Sequence, residues 1–168
     1  MQFTEGKIVV YRSAELCRIK SVGQYAPDGI NTREYCILTP LGSERSTYYV
    51  PMECAEQKLR DPLTKEEVLA LIDSMDGAGA EWCSDGNRRK ARQNEILSSG
   101  SYESVIGMAG AIYIERERRR QSGKKLTASD ERAMKAAEKM IYGEFGYVLG
   151  IEPESVPDFI AQRLSKKE

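Results

Sequence analysis

The sequence predicts an α+β chain, with a small antiparallel β domain first and a helical domain after it. Two observations carry that reading. Up to Val50 the apolar residues come in short β-branched and aromatic runs, separated by hairpin-length turn segments. After Pro51 they recur at helical spacing, and the stripes are marked off by capping residues and glycines.

The first strand is Lys7-Ile8-Val9-Val10-Tyr11, which follows Gly6. Cys17, Ile19 and Val22 mark a looser second one, before the turn Ala26-Pro27-Asp28-Gly29. Glu34-Tyr35-Cys36-Ile37-Leu38 and Ser46-Thr47-Tyr48-Tyr49-Val50 follow, separated by Pro40-Leu41-Gly42-Ser43. Strands this short, packed into about fifty residues, suggest a small antiparallel barrel or curled sheet.

About five helices are expected beyond it. Thr64-Lys65-Glu66-Glu67 has the pattern of a capping box, with Val68, Leu69, Leu71 and Ile72 as the apolar stripe behind it. Asp76-Gly77-Ala78-Gly79-Ala80 reads as a flexible connector. The next helix runs from near Asp85 to Ser98 and is stopped by Ser99-Gly100. Ser101 caps a third, with Val105, Met108, Ala109, Ile112 and Tyr113 at helical spacing, and Gly123 ends it. Thr127 precedes a fourth, where Met134, Ala137, Ile141, Phe145 and Val148 share a face. Ser155-Val156-Pro157 opens a short last helix, and the end at Lys166-Lys167-Glu168 is expected to fray.

With 168 residues, 40% of them hydrophobic and 30% charged, the chain fits one domain or two small ones of ordinary globular type. No apolar run approaches the ~20 residues of a membrane span, and the polar start has no signal-peptide core. A cytoplasmic protein is expected. Cys17, Cys36, Cys54 and Cys83 form no C-x-x-C pair and read as free thiols. The absence of histidine removes the commonest general base and the usual nucleophile pairs. Glu66 and Glu67 are adjacent acids that point apart on a helix, so capping explains them better than catalysis. No metal-ligand spacing and no phosphate-binding glycine loop stands in the sequence. Neither an enzyme nor a cofactor is expected.

Charge is where the sequence says most. The net charge of −1 hides a local asymmetry. Residues 53–85 carry nine acids and three cations, whereas residues 88–125 carry ten cations and four acids. The positive stretch follows Trp82, the chain's only tryptophan, and holds Arg88, Arg89, Lys90 and Arg92, then Arg116 and Arg118 to Arg120, then Lys124 and Lys125. A positive face beside an aromatic suits a phosphate backbone and a base stack. Each element also has a plainer reading. A lone tryptophan is often a packing residue, and Arg116 to Arg120, alternating with acids, can be a solvated face. Lys124 and Lys125 sit between helices, where a loop end can reach a phosphate.

The chain resembles the CarD/CdnL family of bacterial transcription regulators over nearly its whole length. At the front the resemblance rests on Phe3-x-x-Gly6-x-x-Val9-Val10-Tyr11, on residues 34–38, and on Tyr48-Tyr49-Val50-Pro51 with Lys58-Leu59-Arg60. In the second half it rests on Trp82, Arg88, Ile96-Leu97-x-Ser99-Gly100, Gly123 to Glu131, Ala137-Glu138-Lys139 and Tyr142-x-Glu144. Two features depart from the family pattern: Ser13-Ala14-Glu15-Leu16 replaces its turn glycine and following valine, and Trp82 lies six residues before Arg88.

The resemblance implies a Tudor-like (SH3-like) small β-barrel over residues 1–55 that docks on the RNA polymerase β subunit, with Arg45, Thr47, Tyr48 and Tyr49 near the contact. It implies an all-α DNA-binding domain over residues 56–168. There Trp82 would wedge into the minor groove of promoter DNA at the upstream edge of the melted region, and Arg88, Arg89, Lys90, Arg92, Lys124 and Lys125 would hold phosphates. The expected product is a stabilised open complex, formed by a monomer that joins the nucleoid through polymerase and takes no small-molecule substrate. The competing expectation is a Tudor- or SH3-like adaptor for peptides or proteins that makes no DNA contact.

Overall fold

A computed structural model describes residues 2–43, 45–75 and 81–166. The expected connector at 76–80 and residues 167–168 of the expected frayed end lie outside them. The fold is α+β, with a five-stranded antiparallel sheet and, among the described residues, six α-helices. Two compact units result, Met1–Pro62 and Leu63–Glu168.

The first unit contains β1 (Ile8–Tyr11), β2 (Glu15–Tyr25), β3 (Arg33–Pro40), β4 (Tyr48–Pro51), α1 (Met52–Lys58) and β5 (Leu59–Arg60). The ladder order is β4-β3-β2-β1-β5, so the sheet is open where a closed barrel was one expectation, and β4 and β5 are its edges. Strand β2 is longer than its apolar pattern suggested. Its pairing with β3 shifts register between Ile19 and Ser21, which breaks the alternation on which a strand is recognised. Val9, Cys17, Ile19, Cys36, Leu38 and Val50 form the core, joined by Ala55 of α1 and Leu59 of β5. These last two residues explain why the unit extends to Pro62, beyond the expected boundary at residue 55. The β1–β2 turn, in which no glycine stands, places Arg12 at a φ of 57°. Burial pushes the Cys17 thiol up to about 12 and raises that of Cys36, as suits small core residues.

The second unit contains α2 (Lys65–Asp73), α3 (Gly86–Ser99), α4 (Tyr102–Gln121), α5 (Ala128–Leu149), a 3-10 turn (Pro153–Ser155) and α6 (Val156–Ser165). Their starts are where the capping residues put them. The Thr64 hydroxyl accepts the Glu67 N–H, and the Glu67 carboxylate accepts the Thr64 N–H. Ser101 and Thr127 cap α4 and α5, each such cap contributing about 1 kcal/mol. Gly100 closes α3 at a φ of 70°, a conformation open to glycine at little cost. Ser155 makes no side-chain cap, and α6 instead has Pro157 in its first turn.

Val105 and Ile112 of α4, Ala137, Ile141 and Phe145 of α5, and Val156 of α6 are buried. Tyr113, expected on the apolar stripe of α4, is about half exposed. Polar ties join the helices. The fully buried Glu144 of α5 accepts the Leu63 N–H at 2.8 Å and the Tyr102 hydroxyl at 2.6 Å. Arg163 of α6 donates to both carboxylate oxygens of Asp73 on α2, at 2.7 and 2.8 Å. Gly146 leaves room for the chain returning to α6, since a Cβ there would stand 2.9 Å from the Ile151 carbonyl oxygen. Among the described residues no helix is long and apolar enough to cross a membrane.

Candidate functional site

Helix α3 fixes the cations that follow Trp82. Its N-cap is Asp85, whose carboxylate accepts the Asn87 and Arg88 N–H groups at 2.9 Å. From that start, 3.6 residues per turn put Arg89, Gln93 and Ile96 toward the unit's interior. Arg88 and Arg92, one turn apart, share one flank, and Lys90 projects from the other. Arg88, Lys90 and Arg92 are exposed, and none forms an ion pair among the described residues.

Arg89 does not belong with them. It is 9% exposed and grips Asp130 of α5 bidentately, Nε to Oδ1 at 2.8 Å and Nη2 to Oδ2 at 3.0 Å. Its remaining nitrogen, Nη1, donates to the Cys83 carbonyl at 2.8 Å. The expectation that Arg89 contacts phosphate is therefore corrected. A guanidinium whose donors already meet a buried carboxylate and a backbone carbonyl has no fork left for DNA. Asp130 also accepts from Gln93 Nε2 at 3.0 Å and Thr127 Oγ1 at 2.6 Å. Burial pushes its carboxyl up, but the bonds from Arg89, Thr127 and Gln93 outweigh this and hold it at about 2.

Trp82 rests on that pair. The Arg89 Cζ lies 4.4 Å from the centroid of its ring, in cation–π range. The indole is half-buried and forms one wall of a shallow groove with Arg92 and Ile96 of α3 and Met108 and Ile112 of α4. The groove has room for about 40 Å³, roughly one water molecule and far too little for a metabolite. Trp82 is thus neither a core residue nor a free one: one part of it is seated and another faces solvent.

Lys124 and Lys125 are exposed in the turn between α4 and α5 and do not line that groove. The turn is held at both ends. The Lys124 N–H donates to the Arg119 carbonyl at 2.8 Å, and Thr127 binds Asp130. Asp130 thereby ties the lysine turn, helix α3 and the seat of Trp82 together. The sequence does not reveal this role of Asp130, because its main partner lies 41 positions away. The available signal was Thr127 standing three residues before an acid, which reads as capping alone.

The second arginine run is engaged within its own helix. The buried Glu115 accepts Arg118 Nε at 2.8 Å, Arg118 Nη2 at 3.0 Å and Arg119 Nε at 2.6 Å. Those two arginines hold the Glu115 carboxyl at about 2. Arg120 pairs with Glu117 at 3.1 Å, and Arg116 lies over the Tyr113 ring.

In the first unit, β4 pairs with β3 on one side and forms the sheet's edge on the other. Arg45 and Thr47 are exposed just before it. Tyr48 packs against Tyr11 with centroids 5.2 Å apart, and its hydroxyl donates to Glu15 at 3.3 Å. Tyr49 is 47% exposed and meets Tyr25 and Tyr35 edge-on at 6.5 and 6.1 Å. No protein-family model matches the chain, and no curated protein sequence matches it.

Proposed function

We propose that this chain is a transcription regulator of the CarD/CdnL type. Its Tudor-like first unit docks on the RNA polymerase β subunit, and its helical unit holds promoter DNA at the upstream edge of the bubble. Trp82 is the wedge, Arg88 and Arg92 hold phosphates beside it, and Lys90, Lys124 and Lys125 add to the positive surface. It acts without chemistry. Contacts that form only with melted DNA shift the closed-to-open equilibrium, and each 1.4 kcal/mol of such contact shifts it about tenfold.

The single observation that carries this reading is the seat of Trp82. A half-buried indole on a buried ion pair, next to unpaired Arg88 and Arg92, combines a stacking surface with phosphate ligands. The polymerase dock is supported by the β4 edge, where an added strand would satisfy backbone groups and the exposed Tyr49 would supply aromatic contact.

The division of labour is testable with a fragment. Residues 1–62 should bind isolated polymerase β subunit about as tightly as the full chain, yet fail to prolong open complexes. A folded fragment without affinity, beside a full chain that binds, would overturn the assignment of the dock.

A further inference from the structure

The sequence places Arg89 inside a cationic cluster, and the structure gives it work that no phosphate contact explains. Its guanidinium is fixed along one edge by both oxygens of Asp130. Its Nη1 reaches back to the carbonyl of Cys83, the residue next to Trp82. Its Cζ lies over the indole, 4.4 Å from the ring centroid. Three contacts of one side chain therefore determine the carboxylate partner, the backbone beside Trp82 and the ring of Trp82.

We propose that Arg89 is the positioning residue for Trp82, holding the indole pre-aimed through its bond to Asp130. This rests on the reading of Trp82 as the DNA-facing wedge. A wedge that rotates freely in the unbound protein must be ordered on binding, and that ordering weakens the complex. A planar, bidentate guanidinium removes this loss in a way an ammonium cannot, because lysine offers neither the fork to grip a carboxylate nor a flat face to carry a ring. A cation–π contact of this kind biases the ring toward its seated orientation by roughly fivefold.

As the only tryptophan, Trp82 reports on itself through its fluorescence. Arg89→Lys keeps the charge and removes both fork and plane. In the full-length protein it should raise quenching of Trp82 by acrylamide severalfold and shorten the open-complex lifetime. Thr127→Val is the control for mere loosening, since Thr127 also bonds Asp130 but does not line the Trp82 groove. It should lower the melting temperature and leave quenching unchanged. Should Arg89→Lys fail to fold, Asp130→Asn releases the same guanidinium from its other end, and quenching should rise there too.

A folded Arg89→Lys protein with wild-type quenching would overturn the proposal. So would a Thr127→Val protein whose Trp82 becomes as accessible as in Arg89→Lys. Increased quenching with an unchanged open-complex lifetime would uphold the positioning role and reject the wedge, so the two failures are separable.

Discussion

The cations at the start of α3 and those at the end of α4 look alike in sequence and end up in opposite states. Near Arg118 and Arg119 stands Glu115, three and four residues back on the same face, and both arginines close on it. Near Arg88 stands the Asp85 cap, whose carboxylate meets backbone N–H groups, and near Arg92 stands Glu95, three residues on and exposed, which forms no ion pair with it. Four arginines at one helix end thus produce a largely self-satisfied surface, and three cations at another helix start remain available to an outside anion. What separates the two runs is a buried acid one turn away, as Glu115 is and the exposed Glu95 is not, rather than the density of positive charge.

The largest effect separates the two buried acids. Asp130→Ala leaves Arg89 charged and unpaired in the interior, which costs on the order of 3–5 kcal/mol. Glu115→Ala costs about 1–3 kcal/mol, because Arg118 is 73% exposed and regains water. Denaturant melts of the two variants should keep that order, and the reverse order would break the comparison.

Acid acts on both sites in the same direction. Asp130 and Glu115 titrate at about 2 in the folded protein, below their ordinary values of 3.8 and 4.5. The unfolded chain therefore binds more protons between those limits, and stability falls as pH falls from about 4.5 toward 2. Melting temperatures across that window should drop less steeply in Asp130→Asn and Glu115→Gln than in the wild type, each compared with its own neutral-pH value.

Salt dependence gives a smaller and sharper contrast. Replacing Arg88 and Arg92 by Ala should lower the log–log salt slope of DNA association by about 0.9 per contact, equally for all sequences. Replacing Arg118 and Arg120 should leave the slope near its original value. The smallest effect is expected for Lys90→Ala, which sits on the opposite flank of α3 from Arg88 and Arg92. Equal slopes in the Arg88/Arg92 and Arg118/Arg120 pairs would erase the distinction between the two runs.

Local signals in the sequence were reliable where a single turn of chain decides the outcome. Thr64, Ser101 and Thr127 capped the helices assigned to them, and Gly100 terminated α3, because capping involves neighbours within four residues. Helix α1 and strand β5 were missed. They are short, follow Pro51, and hold their place through Ala55 and Leu59 packing on a core made by distant strands. The register shift in β2 hid part of that strand for a related reason. At the site, the exposure of Arg88, Lys90 and Arg92 matched their charge pattern, whereas the burial of Arg89 did not. Nothing near Arg89 in sequence marks it as different from Arg88. Its partner Asp130 becomes a neighbour only when α3 packs on α5.

The central claim is that Trp82 acts on melted promoter DNA, and the lifetime of the open complex with Trp82→Ala tests it most directly. The structure seats the indole in a shallow groove, so the variant should stay folded, with a melt only modestly lowered, and should bind polymerase like the wild type. Its open complexes should dissociate severalfold faster, because the lost contact exists only once the base step is separated. A folded Trp82→Ala protein that prolongs open complexes as well as the wild type would contradict the account.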